Sequence, residues 1–448
     1  MSSTNFCGRD AGASTLPMHT MALAALLASL PATPPASRLP TELEAAVRPL
    51  LRKLSANNND SAWSLAYKDA DYEVALCAGP VKRSDNGSSA RACSSDDTFA
   101  WGSITKPMTA VLLLQLAERG VLDLDAPVAP LVDPLLSHWA GSDANSSSLA
   151  ALYGPNATAI TSRQLLSHRS GLSEYDGRAT RLYQNLHPGE DLDPLWVLRQ
   201  ARLMYAPGSA ALGEYSSTGY TLAGLVATAA LRLARWDVLD QAAALVRPGV
   251  PAGSFAATRF PVHGRCSAFE TATRRTGHTS VHGYENPRAT EGLGAVDTSG
   301  LSCTQGWTCG NAVSTPREVA RFFWLLLGPP RALLSPASLR QMMTWQPTQF
   351  RPSPSKGNFS YGLGLMDFNS MDWGFQYNGS LMGHNGLTYG FGAQSGYNRD
   401  YRFSLSFVNN VEHWIGPYAG PGVPNKLYET VVAVVRRFRG AQAGTVES

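Results

Sequence analysis

Charge is scarce in this chain: charged residues make up 16% of the 448, only six are lysine, and the formal net charge is +3. Without a basic stripe or a block of like charge, composition excludes nucleic acid as an expected partner. No apolar run approaches the ~20 residues that a spanning helix needs, so no stable membrane span is expected. Met108–Ala117 is very apolar, but flanking proline and charges mark it as a buried helix. Two hydrolase signatures are missing. There is no Gly-x-Ser-x-Gly, which removes the nucleophile elbow of an α/β-hydrolase, and no His-Glu-x-x-His, which removes a zinc peptidase. Cysteines are few, at positions 7, 77, 93, 266, 303 and 309. Grouping them with His278 and His282 gives no recognised zinc spacing, so neither a metal nor a cofactor is expected.

What remains is ample apolar material, 44% of the chain, enough for one large core or two lobes. Residues 1–40 read as a leader. Met21–Leu30 is a short apolar run followed by a Pro/Ala/Thr stretch, which suits a signal peptide better than a membrane span. Six Asn-x-Ser/Thr sequons, at Asn59, Asn86, Asn145, Asn156, Asn358 and Asn378, fit a glycoprotein that is secreted or held in a secretory lumen. Cys77 and Cys93 flank a polar loop and Cys303 and Cys309 close a short one, and both pairs suit disulfides in an oxidising compartment. With the leader removed five cysteines remain, so at least one stays unpaired within the chain.

Along the rest of the chain, helix is expected over Leu43–Leu54 and two strands over Ala62–Ala78, broken at Lys68–Asp71. A central helix covers Met108–Glu118 and stops at Gly120. Thr161 and Thr315 begin further helices, the latter as a capping box with Glu318. Tyr361–Phe368, Gly386–Tyr397 and Arg402–Val408 carry strand character, and Lys426–Arg439 closes the chain as an amphipathic helix. Strands at both ends and helices between imply an α/β (α+β) fold. Its antiparallel sheet is built from N- and C-terminal strands and flanked by helices. The catalytic domain is expected over 41–440, with an α/β lobe about 41–121 and 328–440, a helical lobe about 122–327, and a tail at 441–448.

Chemistry concentrates at Trp101-Gly-Ser103-Ile-Thr-Lys106-Pro. Residues three apart share a helical face, so Ser103 Oγ and the Lys106 amine can meet in a first turn that tolerates Pro107. A serine attacks once a neighbouring base takes its proton, and burial beside an apolar helix would lower the lysine's pKa enough for that task. Ser353-Pro-Ser-Lys356 repeats the spacing, but in a Pro/Ser/Gly-rich loop with no helix behind it. Downstream, Tyr215-Ser216-Ser217 precedes the apolar run Thr221–Leu233, where a tyrosine can relay a proton. Gly383-His384-Asn385-Gly386-Leu387 enters a glycine-rich strand along which a substrate backbone can lie.

In combination and order these segments resemble the serine β-lactamase and penicillin-binding-protein superfamily, in its class C β-lactamase-like and esterase branch. That branch shows Ser-x-x-Lys, then Tyr-x-Asn, then Lys-Thr-Gly or His-x-Gly. Gln164-Leu-Leu-Ser-His-Arg-Ser-Gly-Leu172 and the segment beginning at Asn311 look like two of its intervening motifs. The resemblance covers roughly Leu43 to Arg439 and implies a β-lactamase/transpeptidase-like fold and an acyl-enzyme mechanism. Ser103 would be the nucleophile, Lys106 and Tyr215 would move protons, and the Ser103 and Leu387 N–H groups would hold the oxyanion. Ser217, His384, Asn385 and Gly386 would meet substrate.

Two departures shift the expected substrate. Ser217 stands where many relatives have Asn, and His384 stands where β-lactamases have Lys. Both point away from a β-lactamase towards an esterase or peptidase acting on a small-molecule or peptide substrate. His384, if it touches substrate, should titrate near pH ~6–7. The rival reading is a non-catalytic or self-assembling scaffold of the same fold, against which the intact Ser103, Lys106 and Tyr215 speak. The sequence carries no signal for an oligomeric state.

Overall fold

The computed structural model describes residues 38–57, 61–81, 91–141, 147–265, 268, 277–278, 295–296, 301–350, 358–371, 377–388, 390–410 and 423–439. Residues 1–37 of the expected leader, the second Ser-x-x-Lys, His282, the C-terminal tail and the sequons at Asn59, Asn86 and Asn145 lie outside them. Asn156, Asn358 and Asn378 are exposed.

Helix α1 (Leu39–Asn57) places Leu39, Leu43, Val47, Leu51 and Leu54 on one buried stripe at helical spacing. The chain then turns into β1 (Trp63–Lys68) and β2 (Glu73–Ala78). Asp69 closes their turn, Oδ1 accepting the backbone N–H groups of Asp71 at 2.8 Å and Tyr72 at 2.7 Å. Cys77, on β2, is disulfide-bonded to Cys93.

The remaining main-sheet strands are β3 (Gly213–Glu214), β4 (Gln346–Gln349), β5 (Phe359–Tyr361), β6 (Met366–Asp367), β7 (Leu381–Thr388), β8 (Phe391–Asn398) and β9 (Phe403–Asn409). Among the described residues they form one nine-stranded sheet in the order β2-β1-β9-β8-β7-β6-β5-β4-β3. The first strand thus pairs with the last, Leu65 opposite Phe407. The sheet is antiparallel except for β3 against β4, which run parallel. Strand β3 arrives from within the expected helical lobe and adds one parallel pair to the expected antiparallel sheet. The apolar stretch expected as a strand over Gly386–Tyr397 is a hairpin, β7 and β8, with Gly390 at a positive φ of 86° in its turn.

Alternation along β9 sorts its two faces. Phe403, Leu405 and Phe407 join α1 and the C-terminal helix Val423–Arg439 in one core cluster, while Ser406 Oγ turns the other way and donates to the Pro316 carbonyl. Helix α2 (Thr105–Glu118) is buried over nearly its whole length, as its all-round apolar sequence predicts. Full burial of each of its leucines is worth roughly 1.5–3 kcal/mol. Helix α3 (Ser217–Ala230) lies beside it, equally buried. Helices α4 (Pro316–Leu327) and α5 (Val423–Arg439) cover the two sheet faces. Among the described residues no helix is long and apolar enough to cross a membrane.

Two local expectations are corrected. Thr315 caps α4 by accepting the Glu318 N–H at 3.2 Å, but the reciprocal half of the box is not made. The Glu318 carboxylate instead accepts from Ala257 N at 2.9 Å and Thr258 Oγ1 at 2.6 Å, stitching that loop to the helix. Cys303 and Cys309 are not joined to each other: Cys303 is disulfide-bonded elsewhere and Cys309 is a free buried thiol. Cys309 lies in the short helix Trp307–Gly310, its sulfur 3.6 Å from the Tyr175 hydroxyl in the core.

Candidate active site

Ser103 sits in a 3₁₀ turn, Gly102–Ile104, that runs directly into α2. The turn is fixed to the segment before α4. Trp101 N donates to the Ala312 carbonyl at 2.9 Å and its indole N–H to Ser314 O at 2.8 Å. Thr105 Oγ1 donates to Gly102 O at 2.7 Å and accepts from Ala312 N at 2.9 Å. Ser103 is partly exposed at the head of this assembly, and Lys106 one turn later is wholly buried.

Lys106 Nζ lies 2.8 Å from Ser103 Oγ, 3.2 Å from Ser217 Oγ and 3.0 Å from the Cys309 carbonyl oxygen. The ring centres of Tyr215 and Tyr220 lie 4.9 and 5.5 Å from it. Burial pulls the lysine's pKa down, opposed by the Cys309 thiol and then by the Glu174 and Asp176 carboxylates. Nζ is the donor in all three contacts, the full donor count of an ammonium, and loss of one proton would leave a lone pair facing Ser103 Oγ.

Tyr215 follows β3, and its N–H donates to Gln349 O at 2.9 Å on β4. Its hydroxyl is hydrogen-bonded to Ser103, while burial pushes the phenol pKa well up. Ser216 caps α3, its Oγ accepting the Gly219 N–H at 3.2 Å. Ser217 therefore opens the helix at the site, donating its N–H to Glu174 Oε2 at 2.8 Å. Glu174 Oε1 also accepts from Tyr175 N at 2.9 Å and Asp176 N at 3.1 Å.

The fourth wall is β7, which β6 covers only at Met382 and Gly383. Beyond them β7 runs against the Ser103 turn. A Cβ on Gly386 would lie 2.0 Å from Trp101 O, and one on Gly102 would lie 3.1 Å from Leu387 N. Two missing side chains thus let the Leu387 backbone close on the turn that carries Ser103. Asn385 and Leu387 are partly exposed.

His384 departs from expectation. It lies inside the strand with no exposure, Nε2 2.9 Å from the Tyr361 hydroxyl and Nδ1 against Asn385 O. Burial, then the charge of Lys106, pushes its pKa down to about 3. This histidine is a buried, neutral part of the wall behind Tyr215.

Ser103, Lys106, Tyr215, Ser217 and the Leu387 backbone converge; the His384 side chain lies behind them. Sequence reasoning gave no role to Glu174, Tyr361, the Cys309 carbonyl or His168. Of these only His168 carried a signal, its place within Gln164–Leu172, because the others meet the site through tertiary contacts alone.

The family model described as Beta-lactamase matches residues 70–421. Acyltransferase calJ of Penicillium decumbens is 28% identical over 256 residues, 54% of this chain and 56% of the relative. The chain thus spans little more than half the length of that curated relative. A D-stereospecific amidohydrolase from Streptomyces sp. superposes with a TM-score of 0.62 at 24% identity, over 89% of this chain and 99% of that one. A D-amino acid amidase from Ochrobactrum anthropi SV3 gives 0.65 at 20% identity, over 88% and 99%. An octameric penicillin-binding protein homologue from Pyrococcus abyssi gives 0.57 at 17%, over 88% and 77%. At these identities the solved structures speak to the fold, a β-lactamase/transpeptidase-type arrangement.

Proposed function

The chain belongs to the Beta-lactamase family, and from that premise we propose that it is a serine hydrolase working through an acyl-enzyme on an ester or a small amide or peptide. The observation that carries this reading is a wholly buried lysine amine 2.8 Å from a partly exposed serine hydroxyl. Ser103 Oγ attacks the substrate carbonyl as its proton passes to Lys106. The carbonyl oxygen gains negative charge and is held by the Ser103 and Leu387 N–H groups, each such donor being worth ~3 kcal/mol in acyl transfer. Tyr215, hydrogen-bonded to Ser103, gives its proton to the leaving group as the bond to the carbonyl carbon breaks, and regains one from the Lys106 ammonium. Water then attacks the ester of Ser103 and releases the acid.

Asn385 and Gly386 line the approach along β7 in this reading, and Ser217 presents its hydroxyl beside Lys106. The neutral, buried His384 supplies no fixed cation for a substrate carboxylate, which favours an ester or uncharged amide over a β-lactam acid. Transfer of the acyl group to an acceptor other than water is the second reading, favoured by the likeness to an acyltransferase. A fluorophosphonate probe should label the wild type and not Ser103→Ala, and chromogenic ester turnover should be lost with the label. Labelling that persists in Ser103→Ala removes the assignment. Added alcohols or amines that divert product from the free acid would select the transfer reading.

A further inference from the structure

We propose that His168 is the positioning residue for Tyr215, holding the backbone on both sides of that tyrosine so that its hydroxyl stays on Ser103. The inference rests on the catalytic reading above and names the residue on which its proton relay depends.

His168 follows the short helix Ser162–Leu166 and has a left-handed backbone, φ 59°, a conformation that few residues other than Gly, Asn and Asp adopt readily. That turn aims two acceptors of one residue at one loop. The His168 carbonyl accepts the Glu214 N–H at 3.0 Å, and its Nδ1 accepts the Ser216 N–H at 3.1 Å. Glu214 and Ser216 are the two neighbours of Tyr215. The imidazole also packs on the phenol between these anchors, ring centres 4.3 Å apart. It touches Tyr361 at 4.3 Å and Tyr220 at 5.3 Å on its other sides. Tyr215 is therefore bracketed before, after and across its ring by a single side chain and its backbone.

The bracket needs a particular chemical form. An Nδ1 that accepts a hydrogen bond belongs to a neutral imidazole with its proton on Nε2. Complete burial, then the positive charge of Lys106 and the presence of His384, holds His168 neutral. Among the described residues Nε2 has no hydrogen-bond partner. A strained backbone and an unsatisfied buried nitrogen in one residue, packed against Tyr215, mark a position where geometry outweighs local stability.

The test compares His168→Asn with His168→Gly, both of which tolerate a left-handed backbone. Asn Oδ1 can take the place of Nδ1 as acceptor for Ser216 N–H, and glycine offers none. With an activated ester, His168→Gly should lower kcat about 10- to 100-fold, the scale set by ångström misplacement of a reacting group, with KM changed less than about twofold. His168→Asn should recover most of that loss. Fluorophosphonate should still label Ser103 in both, slowly in the glycine variant. In a Tyr215→Phe background the change of His168 should add less than about threefold, because both substitutions remove one function.

Losses that multiply in the double variant, or an asparagine variant no better than glycine, would overturn the proposal. So would a Tyr215→Phe enzyme of wild-type kcat, which would also remove the relay. Loss of labelling in Ser103→Ala together with an unaffected His168→Gly would leave the serine reading standing and sink only this inference. Should His168→Gly fail to fold, His168→Ala, which also removes the acceptor for Ser216 N–H, replaces it in the comparison with His168→Asn and in the double variant with Tyr215→Phe.

Discussion

A lysine that loses its water shell inside a protein gives up its proton more readily, and Lys106 is such a residue. Burial lowers its pKa from the ordinary value of 10.5. The sign for catalysis follows: below the lowered pKa the amine is an ammonium and cannot take the Ser103 proton, and above it the base is available. With a non-ionising ester, kcat/KM should rise with pH through one ionisation below the ordinary lysine value. Lys106→Ala should cost about 10²–10⁴-fold. Lys106→Arg, which keeps a charge that cannot be shed, should be no better. A profile flat from about pH 6 to about pH 10 would dismiss Lys106 as the base. Ser103 and Lys106 were legible in the sequence because their pairing is local, set by three residues of helix. The burial of His384 was not legible, because it is decided by Tyr361 and Tyr215, which arrive from other parts of the chain.

At the scale of elements, the site depends on how closely β7 approaches the turn before α2. Gly386 leaves no room for a side chain, its Cβ position being 2.0 Å from Trp101 O. Gly386→Ala must push strand and turn apart, so it should destabilise the fold by about 1–3 kcal/mol as overpacking does. It should also lower kcat/KM by about tenfold or more as the Leu387 N–H leaves its place. Thermal melting and ester kinetics together check this, and wild-type values for both would refute the close approach. The elements themselves were largely readable, since α1, α2, α5 and the β1–β2 pair declare themselves by periodicity and breaks. The β7–β8 hairpin was hidden because Gly386 to Tyr397 stays apolar and glycine-rich across the turn. Strand β3 was invisible, as two residues carry no period and its pairing with β4 lies far along the chain.

At the scale of the whole molecule, His263 joins segments that are distant in sequence. Its Nδ1 lies 3.1 Å from Asp191 Oδ2 and its Nε2 2.9 Å from Asp237 Oδ2. Asp191 also accepts from Gly264 N at 3.0 Å and Thr304 Oγ1 at 2.9 Å, and Asp237 is paired with Arg235. Carboxylates only accept, so both imidazole nitrogens must carry protons for the clasp to close. Accordingly the pKa of His263 is raised, first by Asp237 and also by Asp191, while that of Asp237 falls to about 2, chiefly through Arg235. A histidine pKa raised by folding adds stability that is complete below the unfolded value and fades as pH rises through the folded one. A depressed aspartate adds stability present above its ordinary value and lost as pH falls through the folded one. The clasp should therefore stabilise the molecule fully between the ordinary aspartate and histidine values of 3.8 and 6.5 and weaken above that window. His263→Gln keeps a polar side chain without the charge. Its deficit in urea unfolding against wild type should be larger at about pH 5.5 than at about pH 8.5, and an equal deficit at both would show that the charged clasp contributes nothing. Because the side chain is about half exposed, 52%, salt should shrink the deficit at the lower pH.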